Sequence, residues 1–385
     1  VSNPDLFSVA RELGDNAPTT PPQGRTSPDR RSLDRRSVNR SGLRLPRLGR
    51  TAWLAFAVVV LLAVSVLLGS YTVTVPDFVR IVMAQLTGGK RIPGASFIVL
   101  ETKLPRAVLG TMIGVAFGLS GALFQRMLRN PLASPDVIGI SSGASAAAVT
   151  AITVFGASGA VVSGAALAGA LAVAALIYAI SRSQSGGGGN LSHGAGNRLI
   201  LAGIGMAAAL GAVVNFLLTR ADIRTAAEAL VWLNGSLNPA SWDRAGVLGV
   251  ALLVLVPAVA ALAGPLRILE LGDDAAAALG VRVGLTRLAV VLTAVALAAV
   301  ATAAAGPVAF VAFLAGPIAR RLAGGPSLPA SAMLGALIVL AADFFAVNLA
   351  PLLLAGTVLP VGVVTGALGA PFLLWLLVTA NRKDA

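Results

Sequence analysis

Cysteine is absent from this 385-residue chain, and histidine occurs once, at His193. Without cysteine there is no disulfide framework, no thiolate metal site and no cysteine nucleophile. One histidine excludes a multi-histidine metal site within the chain. Charge is scarce as well: Asp, Glu, Lys and Arg make up 12% of residues, against roughly 25% in soluble domains. No Gly-x-x-x-x-Gly-Lys-[Ser/Thr] run occurs, so no loop of this chain is built to cradle ATP phosphates. There is no Ser/His/Asp set, and of the 16 acidic residues only Asp343 lies well inside an apolar run. No catalytic or metal-ligating constellation is left.

What the chain has is apolar length. Hydrophobic residues make up 56%, and the mean hydropathy is +0.86. Ten apolar runs are expected as membrane spans, at about 53–70, 107–124, 137–155, 160–180, 198–218, 245–263, 285–304, 308–323, 331–349 and 361–379. Several approach the ~20 residues that a helix needs to cross about 30 Å of hydrocarbon. The run at 308–323 is the least regular, since it is short, contains Pro317 and follows Pro307. Many of the 43 glycines and 21 prolines fall inside these runs, where neighbouring helices can satisfy the backbone.

The net charge of +13 is distributed as a topology signal, not as a nucleic-acid surface. Ten of the 29 Lys and Arg lie in residues 1–50, most of them just before the first apolar run. That segment is rich in Pro, Ser and Arg, has no apolar period, and is expected to be a disordered basic cytoplasmic tail preceding a membrane domain over 51–385. Its cluster also suits anionic lipid. The tail with Trp53–Ser70 does not read as a cleavable signal peptide. With the N-terminus inside, alternation puts 21 Lys and Arg on cytoplasmic segments and eight outside, or 11 to eight without the tail. Both termini are then cytoplasmic. Ser185–Asn190, with four consecutive glycines, reads as a flexible linker, and His193 beside it as a solvated loop residue.

Two local patterns stand out. Gly272-Asp273-Asp274-Ala275-Ala276-Ala277-Ala278-Leu279-Gly280 has helix-forming alanines, an Asp273 able to cap an N-terminus, an Asp274 suited to the dipole and a Gly280 able to end the turn. It predicts a short helix on the cytoplasmic side, too short to span. Gly110, Gly114, Gly118 and Gly121 recur at about one-turn spacing in the second run, which suits close helix packing.

The second run opens on Leu104-Pro105-Arg106 and leads through Gln125 into Asn130-Pro131-Leu132-Ala133-Ser134-Pro135, followed by Gly139, Gly143 and Ala144. Blocks at 271–281, 306–320 and 359–372 follow in order. This pattern resembles the FecCD-type permeases for iron-siderophore and vitamin B12 uptake, over about residues 50–380. The Gly316-Pro317-Ile318-Ala319-Arg320-Arg321 form is similar to ferric-enterobactin-type (catecholate) permeases of high-GC Gram-positive (actinobacterial) bacteria.

The resemblance implies an all-α integral membrane protein of about ten spans with the BtuC-like (type II) ABC importer permease fold. It implies a permease subunit that moves an iron(III)-siderophore chelate and has no nucleotide site of its own. Its partners would be a dimer of cytoplasmic ABC ATPases that bind ATP and Mg, a second identical or homologous permease, and an extracytoplasmic siderophore-binding lipoprotein. It implies that 272–280 is the helix coupling to the ATPase, with Gly272, Asp273, Asp274, Ala275, Ala276, Leu279 and Gly280 as its residues. Lys103 and Arg106 would dock the binding protein. Four departures are visible. Gly316-Pro317 stands where the family commonly has Pro-His, Ile138 replaces a Leu, and Val347 and Val358 replace the usual Arg and Glu. A secondary transporter or exporter using Asp343 is the alternative; a single buried acid supports ion coupling poorly.

Overall fold

Apolar side chains on every side of a helix require neighbours on every side, and the second apolar run has the most of both. It forms the centre of the bundle. The computed structural model describes residues 47–69, 71–88, 92, 94–136, 139–183 and 194–381. Residues 1–46, Lys90, Arg91, Ile138, the 185–190 linker, His193, Arg382 and Lys383 lie outside the described residues.

In chain order the helices are α1 (Arg47–Leu67), α2 (Val75–Thr87) and α3 (Ala95–Phe97), which continues through a π-turn at Ile98–Lys103 into α4 (Leu104–Met127). Then come α5 (Ile140–Phe155), α6 (Ala160–Ser183), α7 (Gly194–Arg220), α8 (Ile223–Leu233), α9 (Trp242–Leu269), α10 (Asp273–Ala278), α11 (Val283–Ala305) and α12 (Val311–Ala323). Last are α13 (Leu328–Phe344), a π-turn at Phe345–Leu349, α14 (Ala350–Leu353) and α15 (Val361–Asn381). The chain is all-α among its described residues. Each of the ten expected apolar runs contains a helix among the described residues. Among the described residues, seven helices are long and apolar enough to cross a membrane, while Ile140–Phe155 and Val361–Trp375 are shorter apolar helices. The remaining run, at 308–323, is α12, with 13 residues.

Two expected boundaries move. The second span begins at Ala95, not near 107, and reaches Met127 as one stretch of 33 residues. The sixth run, expected over 245–263, extends to Leu269, because α9 runs through Pro265. A glycine precedes that proline, and a residue without Cβ relieves the clash that normally bars helix before proline.

α4 packs on α13, α11, α12 and α9. Its glycines admit neighbouring backbones. A Cβ on Gly114 would meet the backbone of Gly335 and Ala336, one on Gly118 the carbonyl of Ser331, and one on Gly121 the carbonyl of Ala312. Gly110 is looser, with a Leu237 methyl 3.0 Å from the Cβ position. Such contacts replace the hydrophobic drive that lipid cannot supply between helices. α1, α7 and α9 bury little within the chain: Trp53, Phe56, Leu201, Val247, Leu253 and Val254 are exposed, as on faces that meet lipid or another membrane subunit.

The helices run between two ends of the bundle. The proximal end, where α1 begins, holds the α4–α5 turn, α10 and the start of α11. The distal end holds α2, both π-turns, α8 and the start of α9.

Candidate functional site

At the proximal end, five charged groups meet around α10. Arg126, in the last turn of α4, donates from Nε to Glu270 Oε1 at 2.5 Å. Glu270 directly follows α9. Arg129, beyond the end of α4, has φ +50°, a left-handed conformation uncommon outside glycine. Its guanidinium donates to the Leu269 carbonyl and stands 3.9 Å from the Asp273 carboxylate. From the other side Arg287 of α11 donates to the same Asp273 oxygen at 2.6 Å. The short helix is thus tied to α4 and α11 by side chains that remain 13–42% exposed.

α10 itself departs from the expected capping. Its N-cap is Gly272, at φ +121°, and no side chain caps it. Asp273 sits in the first turn with its carboxylate turned to Arg287, because a guanidinium competes better for that oxygen than the helix's own N–H groups. The turn after the helix closes at Gly280, where φ is +82° and the N–H reaches the Ala277 carbonyl at 3.0 Å. Among the residues expected to meet a partner, Ala276 is fully buried and faces the bundle. Asp274, Ala275 and Leu279 are exposed, as is Leu271 just before the helix. The helix is thus flanked by an exposed leucine on either side.

The motif loop lies next to this cluster. Asn130 accepts the Leu132 N–H on its side-chain oxygen at 2.9 Å, and its own N–H bonds the Gln125 carbonyl at 3.0 Å. Pro131 is exposed, whereas Ala133, Ser134 and Pro135 are buried, and Leu132 packs against Phe313 and Leu314 of α12. Gly139, at φ +81°, opens α5 close to the Gly203 carbonyl of α7. Asp136 accepts from the Ser141 hydroxyl; burial pushes its pKa up, and that hydrogen bond offsets part of the rise.

Deeper in, Gln125 closes a gap that sequence reading left open. Pro317 has no N–H, so the Phe313 carbonyl one turn earlier loses its helical partner. Gln125 Nε2 donates to that carbonyl at 3.1 Å. Gly316 makes this possible, since a Cβ there would collide with the Gln125 side-chain oxygen. The Gly316-Pro317 departure is therefore matched by a hydrogen bond from another helix.

At the distal end, Arg106 forms a forked ion pair with Asp343 of α13, with Nε and Nη2 each 2.8 Å from a carboxylate oxygen. Its remaining arm donates to Asn238 at 3.0 Å. Lys103 donates to the carbonyls of Val66, Leu68 and Tyr71 at 3.2, 2.8 and 2.6 Å, engaging its three donors at the end of α1. Both cations expected to dock a partner therefore have employment inside the chain. Asp343, the candidate ion site of the alternative reading, is a salt-bridge partner. Sequence reading missed Glu270, Asn238 and Arg287 as partners. Their contacts span 144, 132 and 14 positions, and only the acidic residue flanking the short-helix block hinted at the first.

A family model, the FecCD transport family, matches residues 57–379. The chain is 39% identical over 291 residues to the ferric enterobactin transport system permease protein FepG of Escherichia coli, covering 75% of this chain and 84% of that one. It is 40% identical over 291 residues to the achromobactin transport system permease protein CbrC of Dickeya dadantii, covering 74% and 80%. To the iron(3+)-hydroxamate import system permease protein FhuG of Bacillus subtilis it is 33% identical over 339 residues, covering 85% and 97%. Among solved structures, one described as a metal-chelate type ABC transporter in an inward-facing conformation superposes with a TM-score of 0.73 at 25% identity, covering 86% of this chain and 99% of that one.

Proposed function

We propose the details of transport from one premise: the chain belongs to the FecCD transport family. It is a permease subunit of an ABC importer, not itself an enzyme, and ATP is hydrolysed by separate partner subunits. The substrate is an iron(III)-siderophore chelate. The curated relatives FepG, CbrC and FhuG, whose names give ferric enterobactin, achromobactin and iron(3+)-hydroxamate, support that class.

The observation that carries the mechanism is α10, a short helix with an acidic first turn, flanked by exposed Leu271 and Leu279 and held on the bundle by ion pairs. The proximal end is cytoplasmic, both termini included, and α10 docks on an ATPase whose own site binds ATP and Mg. The basic residues of 1–50 support that orientation. The basic tail itself is dispensable for transport. Exposed faces of α1, α7 and α9 are available for lipid and for a second permease, identical or homologous. An extracytoplasmic binding lipoprotein delivers the chelate at the distal end, near Lys103 and Arg106. Acidic groups on it compete there with Asp343 for Arg106.

The test is uptake in cells in which this chain is the only permease of its class, supplied with its own ATPase and binding protein. Ferric enterobactin labelled with radioactive iron should accumulate and labelled cobalamin should not. Accumulation of cobalamin with no iron chelate would overturn the substrate class.

A further inference from the structure

Coupling needs more than a docking helix. A short helix on flexible joints would absorb the ATPase stroke instead of passing it on, and α10 has glycines at both joints, Gly272 and Gly280, each at positive φ. Nothing within 4 Å hems in either glycine at its Cβ position, so the joints themselves supply little stiffness. Stiffness has to come from side chains.

We infer that Arg126, Arg129 and Arg287 form a charge clamp on Glu270 and Asp273 that makes α10 and the proximal end of α4 move as one body. The three cations reach Asp273 of α10 and Glu270 at the end of α9 from three places: α4, the turn just beyond it, and α11. Arg129 adds a third tie through the Leu269 carbonyl at the end of α9. Its left-handed backbone turns the chain sharply after α4 and brings the guanidinium back over that carbonyl. The four elements at this corner are thereby cross-linked without covalent bonds.

The choice of α4 as receiver has a mechanical sense. α4 is the helix most enclosed by neighbours, with backbones of α13 and α12 pressed on its glycines. Close-packed interiors transmit displacement instead of absorbing it. At its 24 residues α4 is about 36 Å long. Its distal end carries Arg106, whose carboxylate partner lies on α13. A displacement of α10 would reach that outer ion pair along one rigid rod. The clamp residues are positioning residues; none of them is placed against substrate.

This inference rests on the coupling role of α10 proposed above, so the experiment separates the two. The complete importer, with its ATPase and binding protein, is reconstituted in liposomes, and uptake of labelled ferric enterobactin is measured against ATP hydrolysed. Arg126→Glu and Glu270→Arg should each lower iron moved per ATP by at least about fivefold, the lower end of typical coupling between linked sites. The ATPase should still co-purify. The swap, Arg126→Glu with Glu270→Arg, should recover most of the ratio, which loss of folding would not do. If a reversal fails to assemble, Glu270→Gln removes the charge and keeps the shape, and the same fall is expected. An unchanged ratio in the single variants, or a swap no better than the worse single, overturns the clamp. Leu279→Asp is the control for the docking role. If it uncouples while the clamp variants do not, docking stands and the clamp fails; if it has no effect, the docking role itself falls.

Discussion

Arg106 and Asp343 lie 237 positions apart, yet the fork between them is the best-formed polar contact at the distal end. Their side chains are 20% and 11% exposed, so removal of either partner strands a charge with little water to take it up. Asp343→Ala or Arg106→Ala should lower stability in detergent by about 3 kcal/mol. The paired change Arg106→Met with Asp343→Leu should lose less than either, since no charge is left unpaired. Thermal unfolding of the purified permease checks both. Equal losses in the single and paired variants would show that the site matters for shape and not for charge. The same pair bears on docking. Asp343→Asn releases Arg106, so if a binding-protein carboxylate uses that guanidinium, affinity at low salt should rise and the gain should fade as salt screens it. Gln125 offers a second residue-level test. Gln125→Leu leaves the Phe313 carbonyl without a donor at Pro317, and a loss of about 1–3 kcal/mol is expected for a buried acceptor deprived of its partner.

At the scale of the element, α4 and α10 respond to different kinds of change. Gly121 faces the backbone of Ala312, where no flexible side chain can yield. Gly121→Leu should therefore prevent accumulation of folded protein in the membrane, while Gly110→Ala, opposite a leucine methyl, should be tolerated. Membrane levels by immunoblot and retention of a single peak on size exclusion distinguish them. On α10 the outcome is functional. Ala277→Arg, on the exposed side, should leave the permease folded and uncouple ATP hydrolysis from uptake. Ala276→Arg, on the buried side, should damage folding instead. An Ala276 variant that folds and uncouples would return that residue to the docking face.

For the whole molecule, the basic, Pro- and Ser-rich composition of residues 1–50, with no apolar period, leads to a deletion. Removing residues up to about Ser41, which spares Arg44, Arg47 and Arg50, should leave the orientation and the rate of uptake near normal. Protease accessibility of the truncated chain in oriented vesicles checks the orientation, and iron uptake checks the rate. A correctly oriented but inactive truncation would assign the tail a role in transport.

The positions of the apolar helices were legible because lipid imposes one rule on every span: enough apolar residues to cross the hydrocarbon, with the backbone satisfied inside the helix. That rule is local, so composition along the chain carries it, and the order of motif blocks carries the family. The short helix at α10 was legible for the same reason, from its alanines and flanking glycines. Its buried side was not, because which face of a six-residue helix turns inward depends on what it rests against. Likewise Arg126, Arg129 and Lys103 read in sequence as cations near span ends. Only the packing of α4 against α9, α11 and α1 gave each a carboxylate or carbonyl to hold, since ion pairs and helix-end carbonyls are brought within reach by tertiary contacts between segments far apart in the chain.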